Sequence, residues 1–263
     1  MTTGNDHVLA RELAAEAGRR LLELRARGGE PDLLRKAGDQ LAHEFLTAAL
    51  AARRPGDVVL SEEGADDPAR LTAGRVWIVD PLDGTREFGE PGRADWAVHV
   101  ALWERTGRAG PGRSGTGELT AGAVALPAQD QVLSTASPAG PLPPSGADAR
   151  VRIVVSRTRA PRLVQNISDL IDAELVPLGS AGAKVAAVVC GEADAYVHAG
   201  GFYEWDTAAP VAVARAAGYH ASRIDGTGLA YNREDPLLPD ILVCRPVIAG
   251  LLLAAIREAT HAI

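Results

Sequence analysis

The sequence predicts a mixed α/β fold in which helices cover β-sheets in successive layers. Apolar residues recur at helical spacing from Leu9 to Leu24 and again from Leu41 to Leu50, which predicts two helices near the start. Short apolar strands follow, and beyond residue 149 strand and helix patterns alternate. We therefore expect one helix-covered sheet in each half of the chain.

The composition indicates a soluble globular protein. The 263 residues are 46% hydrophobic and 23% charged, and this length fills one or two domains. The net charge of −7 argues against a nucleic acid polymer or an anionic membrane as partner. No apolar run approaches the ~20 residues of a membrane span, and no leader-like segment is seen, so we expect a cytoplasmic protein. We also expect a monomer or a homodimer. Cys190 and Cys244 lie in apolar runs and are expected to be buried free thiols.

Capping residues and apolar patterns set the expected elements. Asn5 and Asp6 are expected to cap the first helix, whereas Gly38 and Asp39 should introduce the second. The other expected elements are strands at 57–60, 76–79, 96–103, 121–126, 131–135, 152–155, 195–198 and 240–244, and helices at 161–171, 181–190, 206–217 and 247–259.

Two Gly-, Pro- or Ser-rich stretches divide this pattern. Residues 107–117 predict a hairpin insert, and residues 137–148 predict a linker. We therefore expect an N-terminal half at 1–136, which carries acidic motifs, and a C-terminal half at 149–263, which completes the site and contacts substrate.

The most informative segment is the apolar run 76–79, which ends in Asp80-Pro81-Leu82-Asp83-Gly84-Thr85. Carboxylate and carbonyl oxygens are the ligands that Mg²⁺ prefers. Small residues at a turn let backbone amides approach a phosphate. Metal and phosphate ligands side by side indicate metal-assisted phosphoryl transfer.

The segment also allows two other interpretations. Asp83-Gly84 alone is an ordinary turn dipeptide. A phosphatase of the haloacid dehalogenase type needs two aspartates separated by one residue, but two residues separate Asp80 from Asp83. The spacing argues against that class.

Two further acidic segments support a metal site. The apolar strand at 57–60 leads to Glu62 and Glu63, which by themselves are typical of a solvated turn. Asp206 lies where a helix is expected to start, so it can cap that helix, face a metal ion, or do both.

Together these segments resemble the signature motifs of the inositol monophosphatase superfamily. The motifs are Glu62-Glu63, Asp80 to Thr85 and Trp205 to Ala209, and the resemblance extends over nearly the whole chain. Within the superfamily, residues 83–88 and 204–207 resemble the 3′(2′),5′-bisphosphate nucleotidase branch.

The resemblance implies an αβαβα layered sandwich and a Mg²⁺-dependent, Li⁺-sensitive phosphatase. Its implied substrate is a small phosphate ester, 3′-phosphoadenosine 5′-phosphate, a by-product of sulfate activation. Two or three Mg²⁺ ions would be bound by Glu62, Asp80, the Leu82 carbonyl, Asp83 and Asp206. Pro81 lacks an N–H and fixes its own φ, which helps to turn that carbonyl toward the metal.

The resemblance also implies roles around the metal. Glu62 and Thr85 would orient the attacking water, and Asp39 would complete a further metal site or its water shell. The expected substrate contacts are Glu62, Leu82, Asp83, Gly84, Thr85, Arg157, Ser180, Lys184 and Asp206. Arg157 is expected at the second phosphate or, alternatively, as a solvated surface residue. Tyr231 is expected to pack in the core.

The chain departs from the family at several positions. Lys36-Ala37-Gly38-Asp39 replaces the usual Thr-x-x-Asp, and His198 replaces an arginine of many nucleotidases. His99, inside a strand, is expected to be a satisfied core residue. Glu63 is expected either to bond Thr85 or to be solvated. The histidine spacing argues against zinc.

Other functions stay open at this point. The same fold supports phosphatases of inositol phosphate, fructose bisphosphate and histidinol phosphate. A catalytically idle binding protein is disfavoured, because it would be expected to have lost a metal ligand and all of them are present.

Overall fold

The computed structural model describes residues 4–107, 116–140, 150–158 and 160–261, and these form alternating helix and sheet layers. The layers run helix pair, sheet, helix pair, sheet, helix pair. This order confirms the predicted αβαβα sandwich. Most of the predicted hairpin insert and linker lies outside the described residues.

Helices account for three of the five layers. The α-helices in the described ranges are α1 (Gly4–Ala26), α2 (Pro31–Arg53), α3 (Thr85–Gly89), α4 (Arg162–Ile171), α5 (Ala181–Val189), α6 (Glu204–Ala216) and α7 (Ala249–His261).

The strands in the described part of the chain form two five-stranded sheets. They are β1 (Val58–Ser61), β2 (Arg75–Asp83), β3 (Ala97–Arg105), β4 (Gly117–Leu126), β5 (Gln131–Ser134), β6 (Arg152–Ser156), β7 (Glu174–Leu178), β8 (Ala195–Tyr203), β9 (His220–Ser222) and β10 (Leu237–Cys244).

The two sheets differ in topology. The first has the order β1-β2-β3-β4-β5, with β1 and β2 parallel and the other pairs antiparallel. The second has the order β7-β6-β8-β10-β9, in which β6 runs parallel to both of its neighbours. The first sheet takes its strands from residues 58–134 and the second from 152–244. The division of the chain into two domains stays a prediction.

Three apolar cores hold the layers together. One, around Trp77, lies between α1, α2 and the first sheet. The second surrounds Tyr196 and Val211, where α5 and α6 fill the space between the sheets. The third, around Leu242, joins the outer face of the second sheet to α4 and α7. The acidic motifs are thereby placed beside the central helix layer.

Strand β2 extends further than the sequence predicted. It continues from Val79 through Pro81 to Asp83, and its pairing with β3 shifts between Asp80 and Asp83. Asp80 pairs with His99 and Asp83 pairs with Ala97, so an advance of three residues along β2 corresponds to only two residues along β3. An irregularity of this kind bends a strand and re-aims its side chains. Both aspartates therefore reach the same region.

The expected starts of the first two helices are wrong. Helix α2 begins at Pro31, so Gly38 lies inside it. A Cβ on Gly38 would come within 2.9 Å of side-chain atoms of Phe88 and Leu82, which explains a glycine in mid-helix. Asn5 and Asp6 lie within α1, and Asp6 instead pairs with arginines outside that helix.

Strands β7 and β9 were not predicted from the sequence. Both are at edges of the second sheet, β7 contains Pro177, and β9 has only three residues. Proline cannot donate to a strand ladder, so it is tolerated mainly at a sheet edge, and its presence makes a strand hard to recognise from sequence.

Among the helices that the structure describes, none combines the length and the apolar character needed to cross a membrane.

Candidate active site

Three carboxylates converge beside the central helix layer. Asp80 and Asp83 come from β2, and Asp206 comes from the first turn of α6. One oxygen of each lies within 4.8 Å of the others. These three residues are called the acid cluster below.

Asp206 both ties down the start of α6 and belongs to the acid cluster. Its Oδ2 accepts the Tyr203 N–H at 2.7 Å, which ties down the chain just before α6. The same carboxylate belongs to the acid cluster. Burial raises its pKa to about 7, and the neighbouring Asp83 charge acts in the same direction.

Asp83 is held by the start of α5. Its carboxylate accepts the Ala181 N–H at 3.2 Å and the Gly182 N–H at 2.6 Å. These amides carry the positive end of the helix dipole. Burial alone would raise the pKa of Asp83, but His99 and the Gly182 amide hold it below its usual value.

His99 completes the surroundings of Asp83. Its Nε2 lies 3.1 Å from Asp83 Oδ2, and its Nδ1 lies 3.1 Å from the Trp205 carbonyl oxygen. A Cβ on Gly182 would come 2.2 Å from that Nε2, so the helix can approach only because glycine is there. Burial opposes a charge on the ring, yet the facing Asp83 raises the pKa of His99 above its ordinary value.

The interpretation of His99 as a simple core residue is therefore incomplete. The ring is fully buried, but it faces two residues of the acid cluster, since Nδ1 also lies 4.0 Å from Asp80. It pairs with Asp80 across β2 and β3. The sequence places the two strands one after the other, which could have indicated that they pair and bring His99 near Asp80. The register shift between them could not be predicted from the sequence.

Asp80 has little compensation from the protein. Its Oδ1 accepts the Leu82 N–H at 3.0 Å. Burial raises its pKa well above the ordinary value, and Glu62 and Asp83 add to this effect. The Glu62 residue as a whole is exposed, but protein atoms crowd its carboxylate beside Asp80 and raise its pKa to about 6.

This donor set fits a hard divalent cation. Asp80, Asp206 and Glu62 all have raised pKa values, which means that the fold disfavours their combined negative charge. Converging carboxylate oxygens are the preferred ligands of Mg²⁺, Ca²⁺ and Mn²⁺. The acid cluster with Glu62 can therefore hold a metal ion.

The Thr85 hydroxyl lies next to this cluster. Its oxygen is 3.1 Å from the Leu82 carbonyl oxygen and 3.3 Å from Asp39 Oδ1. A hydroxyl has one hydrogen to donate, so these two acceptors compete for it. Burial raises the pKa of Asp39 to about 6. Glu63 is exposed and takes no part in this bond, which favours the solvated interpretation.

The loop before α5 lies against the Gly84-Thr85 turn. Ser180 is buried beside Gly84, and its Oγ accepts the Ala183 N–H at 3.0 Å as the cap of α5. Lys184 Nζ donates to the carbonyls of Gly179 at 2.5 Å and Ser180 at 3.0 Å. Burial lowers the pKa of Lys184. Both side chains thus hold the loop that faces the turn.

Arg157 lies on the same side of the site. Its Nε donates to Glu87 at 2.8 Å and its Nη2 to Glu90 at 2.6 Å. It lines a cavity of about 320 Å³ together with Gly84, Thr85, Arg86, Glu87, Ser156, Thr158 and Gly179. The arginine is therefore anchored at the edge of the site and is not a freely solvated side chain.

The remaining singled-out residues have ordinary surroundings. Tyr231 is buried, as predicted, and its hydroxyl bonds Thr207. His198 stacks on Phe202 with ring centroids 3.8 Å apart. Cys190 and Cys244 are free thiols; Cys244 is buried and Cys190 only partly so.

The comparison with protein families decides the classification. The model of the inositol monophosphatase family matches residues 8–261. The chain belongs to the inositol monophosphatase family. This confirms the resemblance inferred from the acidic motifs.

Curated relatives place the chain more closely within that family. It is 52% identical to a 3′-phosphoadenosine 5′-phosphate phosphatase of Mycobacterium leprae, over 96% of this chain and 94% of that protein. A protein of the same name from Mycobacterium tuberculosis is 51% identical over 93% and 90%. The 3′(2′),5′-bisphosphate nucleotidase CysQ of Escherichia coli K12 is 30% identical over 77% and 81%.

Solved structures agree with the fold of the family. CysQ from Bacteroides thetaiotaomicron superposes with a TM-score of 0.75 at 27% identity, over 92% of this chain and 97% of that one. Inositol monophosphatase II from Staphylococcus aureus gives a TM-score of 0.76 at 22% identity, over 96% and 95%, and this likeness concerns the fold alone.

The opposite pKa shifts of Asp80 and Asp83 lead to a paired prediction for the metal-free protein. Asp80→Asn should raise the melting temperature, because an amide replaces a carboxylate whose charge is disfavoured. Asp83→Asn should lower it, because the amide cannot accept from both α5 amides, and we expect a loss of about 1–3 kcal/mol. Thermal unfolding in EDTA at pH 7.5 measures both, and equal shifts of the two variants would contradict this account.

The raised pKa of Asp206 predicts how stability depends on pH. Its folded-state pKa is about 7 against an ordinary 3.8, so its contribution is full below pH 4 and lost as the pH rises through 7. In EDTA, the melting temperature of the wild type relative to Asp206→Asn should therefore fall between pH 5 and pH 8. Mg²⁺ should raise the wild-type value most at pH 8, because metal ligands must be deprotonated. A pH-independent difference between the two proteins would refute the assignment.

Proposed function

We propose that this chain is a phosphatase that removes the 3′-phosphate from 3′-phosphoadenosine 5′-phosphate, releasing AMP and phosphate. It is a phosphoric monoester hydrolase of the inositol monophosphatase family. The observation that carries the proposal is the 52% identity to a 3′-phosphoadenosine 5′-phosphate phosphatase over almost the full length of both chains. The acid cluster beside Thr85 supports it.

The proposed metal ligands follow from the family resemblance, and the acid cluster supports three of them. Two or three Mg²⁺ ions would be bound by Glu62, Asp80, the Leu82 carbonyl, Asp83 and Asp206, with Asp39 nearby in a further site or its water shell. When bound, divalent ions neutralise phosphate charge and lower the pKa of a bound water to near neutrality.

The side chains beside the cluster would handle the attacking water. When the Thr85 hydroxyl donates its hydrogen to Asp39 or to the Leu82 carbonyl, its oxygen lone pairs remain free to accept a hydrogen of the water. Glu62, which lies beside Asp80, would accept another hydrogen of the same water through its carboxylate oxygens. Together they would aim the water for in-line attack on phosphorus.

The Gly84-Thr85 turn would hold the scissile phosphate. Gly84 precedes the first turn of α3, where backbone amides point outward. Asp206 and Ser180 would border the rest of the substrate. Ser180 caps the start of α5 beside the Gly84-Thr85 turn, and Asp206 lies in the first turn of α6 at the acid cluster. Lys184 would act through the loop carbonyls that it binds.

Arg157 is our proposed contact for the second phosphate. Glu87 and Glu90 occupy its Nε and Nη2, but a guanidinium carries five N–H donors, so Nη1 can still bind an anion. A cytoplasmic location and a monomeric or homodimeric state complete the proposal.

The direct test of the proposed function is phosphate release from a panel of esters. The purified protein with Mg²⁺ should hydrolyse 3′-phosphoadenosine 5′-phosphate with a higher kcat/KM than inositol 1-phosphate, fructose 1,6-bisphosphate or histidinol phosphate. Asp80→Asn, which should fold stably, is the matched inactive control. A preference for any other member of the panel would reject the proposed substrate. Absence of activity on every member would favour the alternative that the chain is a catalytically idle binding protein.

Arg157→Ala tests the second-phosphate contact. Hydrogen bonds to charged groups contribute about 1.5–3 kcal/mol, so kcat/KM should fall roughly ten- to a hundredfold for the bisphosphorylated nucleotide and little for inositol 1-phosphate. Loss of the arginine also leaves Glu87 and Glu90 unneutralised near the anion, which acts in the same direction. Arg150→Ala, which removes an exposed pair with Asp172, is the control. An equal loss on both substrates would place Arg157 in the scaffold or at the scissile phosphate.

A further inference from the structure

A buried polar network binds Glu204, the first residue of α6, which precedes Asp206 by two positions. Glu204 is 1% exposed, and its Oε2 accepts the Asn232 N–H at 2.6 Å. Its Oε1 accepts the Arg233 N–H at 2.7 Å. The Glu204 N–H donates to the Pro236 carbonyl at 2.8 Å, so the segment 232–236 binds this turn from both its side chain and its backbone.

Arg70 binds the same segment from the other side. Its guanidinium is completely buried and donates from Nη1 to Asn232 Oδ1 at 3.0 Å and to the Arg233 carbonyl at 2.6 Å. Asn232 Nδ2 returns a bond to the Arg70 carbonyl at 2.9 Å. We call Arg70, Glu204 and Asn232 the clasp.

The clasp connects two segments that carry proposed metal ligands. Asp66, which pairs with Arg70, follows Glu62 by four residues in the segment that leaves β1. Glu204 lies at the first position of α6, the helix that carries Asp206. Through Asn232 the clasp therefore joins the Glu62 side of the site to the Asp206 side.

Stability alone is a weak reason for such a network. Burying an arginine and a glutamate has a large desolvation cost, and apolar residues of similar volume often stabilise a protein as well or better. A fully bonded buried network does, however, favour one arrangement of its parts over others. Here that arrangement is the position of Asp206 relative to Glu62.

We propose that Arg70, Glu204 and Asn232 are positioning residues that set the metal affinity of a site they do not touch. The proposal rests on the proposed function only in taking Glu62 and Asp206 as metal ligands. Groups hydrogen-bonded directly to metal ligands typically contribute about 10–100-fold in metal affinity or activity. The clasp acts through the backbone of α6, one step further away, so we expect an effect near the lower end of that range.

Two variants weaken the clasp in different ways. Asn232→Gly removes both side-chain bonds to Arg70, keeps the N–H that Glu204 accepts, and tolerates the left-handed backbone at this position (φ 57°). Glu204→Gln keeps one acceptor oxygen and sets an amide NH₂ against the other backbone N–H.

Asp194→Asn is the matched control. Asp194 is also a buried carboxylate; it accepts the Arg152 N–H at 2.9 Å and pairs with Arg152 and Arg245. It precedes the start of β8, whereas α6 follows the end of that nine-residue strand. Its removal should therefore lower stability without disturbing the acid cluster.

The test measures binding of Mn²⁺ alone by calorimetry, together with melting temperature in EDTA and phosphate release against Mg²⁺ concentration. We expect both clasp variants to raise the Kd for Mn²⁺ by roughly tenfold, and excess Mg²⁺ to restore the activity of Asn232→Gly. Asp194→Asn should have a lower melting temperature than the wild type, while its Kd for Mn²⁺ stays within about twofold of the wild-type value.

Clasp variants that lose stability like Asp194→Asn but keep the wild-type Kd would overturn the proposal and make the network purely structural. If Glu204→Gln does not fold, Asn232→Gly decides alone. Failure of the wild type itself to bind Mn²⁺ would reject the metal site and the proposed function with it, and is a separate outcome.

Discussion

Four carboxylates, those of Asp80, Asp83, Asp206 and Glu62, converge beside the central helix layer, and the rest of the structure depends on how their charge is balanced. The protein compensates only one of them fully, because Asp83 receives the amides of α5 and faces His99. The other three have raised pKa values and need protons or a cation. The fold thus holds an arrangement that becomes favourable when metal is bound.

The same carboxylates also connect the layers. Asp83 belongs to the first sheet but caps α5, whereas Asp206 belongs to α6 and reaches toward β2. Since α5 and α6 fill the space between the two sheets, the site forms only when both halves of the chain are in place. We therefore expect a change in either half to alter the geometry of the acid cluster, and the proposed clasp is one route for such an effect.

Local sequence spacing predicted Asp80, Asp83, Thr85 and Asp206 as candidate site residues, because each lies at the end of a strand or the start of a helix with its own signal. The structure brings the three aspartates together, and their role as metal ligands stays a prediction. Distant packing could not be predicted in the same way. Gly38 is typical of a helix start, yet it lies in the middle of α2. A glycine is needed there because Leu82 and Phe88 pack against its Cα with no room for a Cβ. His99 meets the acid cluster through a register shift, and Arg157 contacts Glu87 across a separation of 70 positions in the sequence. Such contacts depend on the tertiary fold and leave no local pattern.

Anomalous scattering from crystals soaked in Mn²⁺ tests most directly whether the acid cluster binds the metal ions proposed for catalysis. We expect a peak within about 2.0–2.6 Å of oxygens from Asp80, Asp83 and Asp206, the range of hard cations with oxygen ligands. A second peak is expected between Glu62, Asp80 and the Leu82 carbonyl. Mn²⁺ bound only at other acidic residues, with none at the acid cluster, would contradict the account.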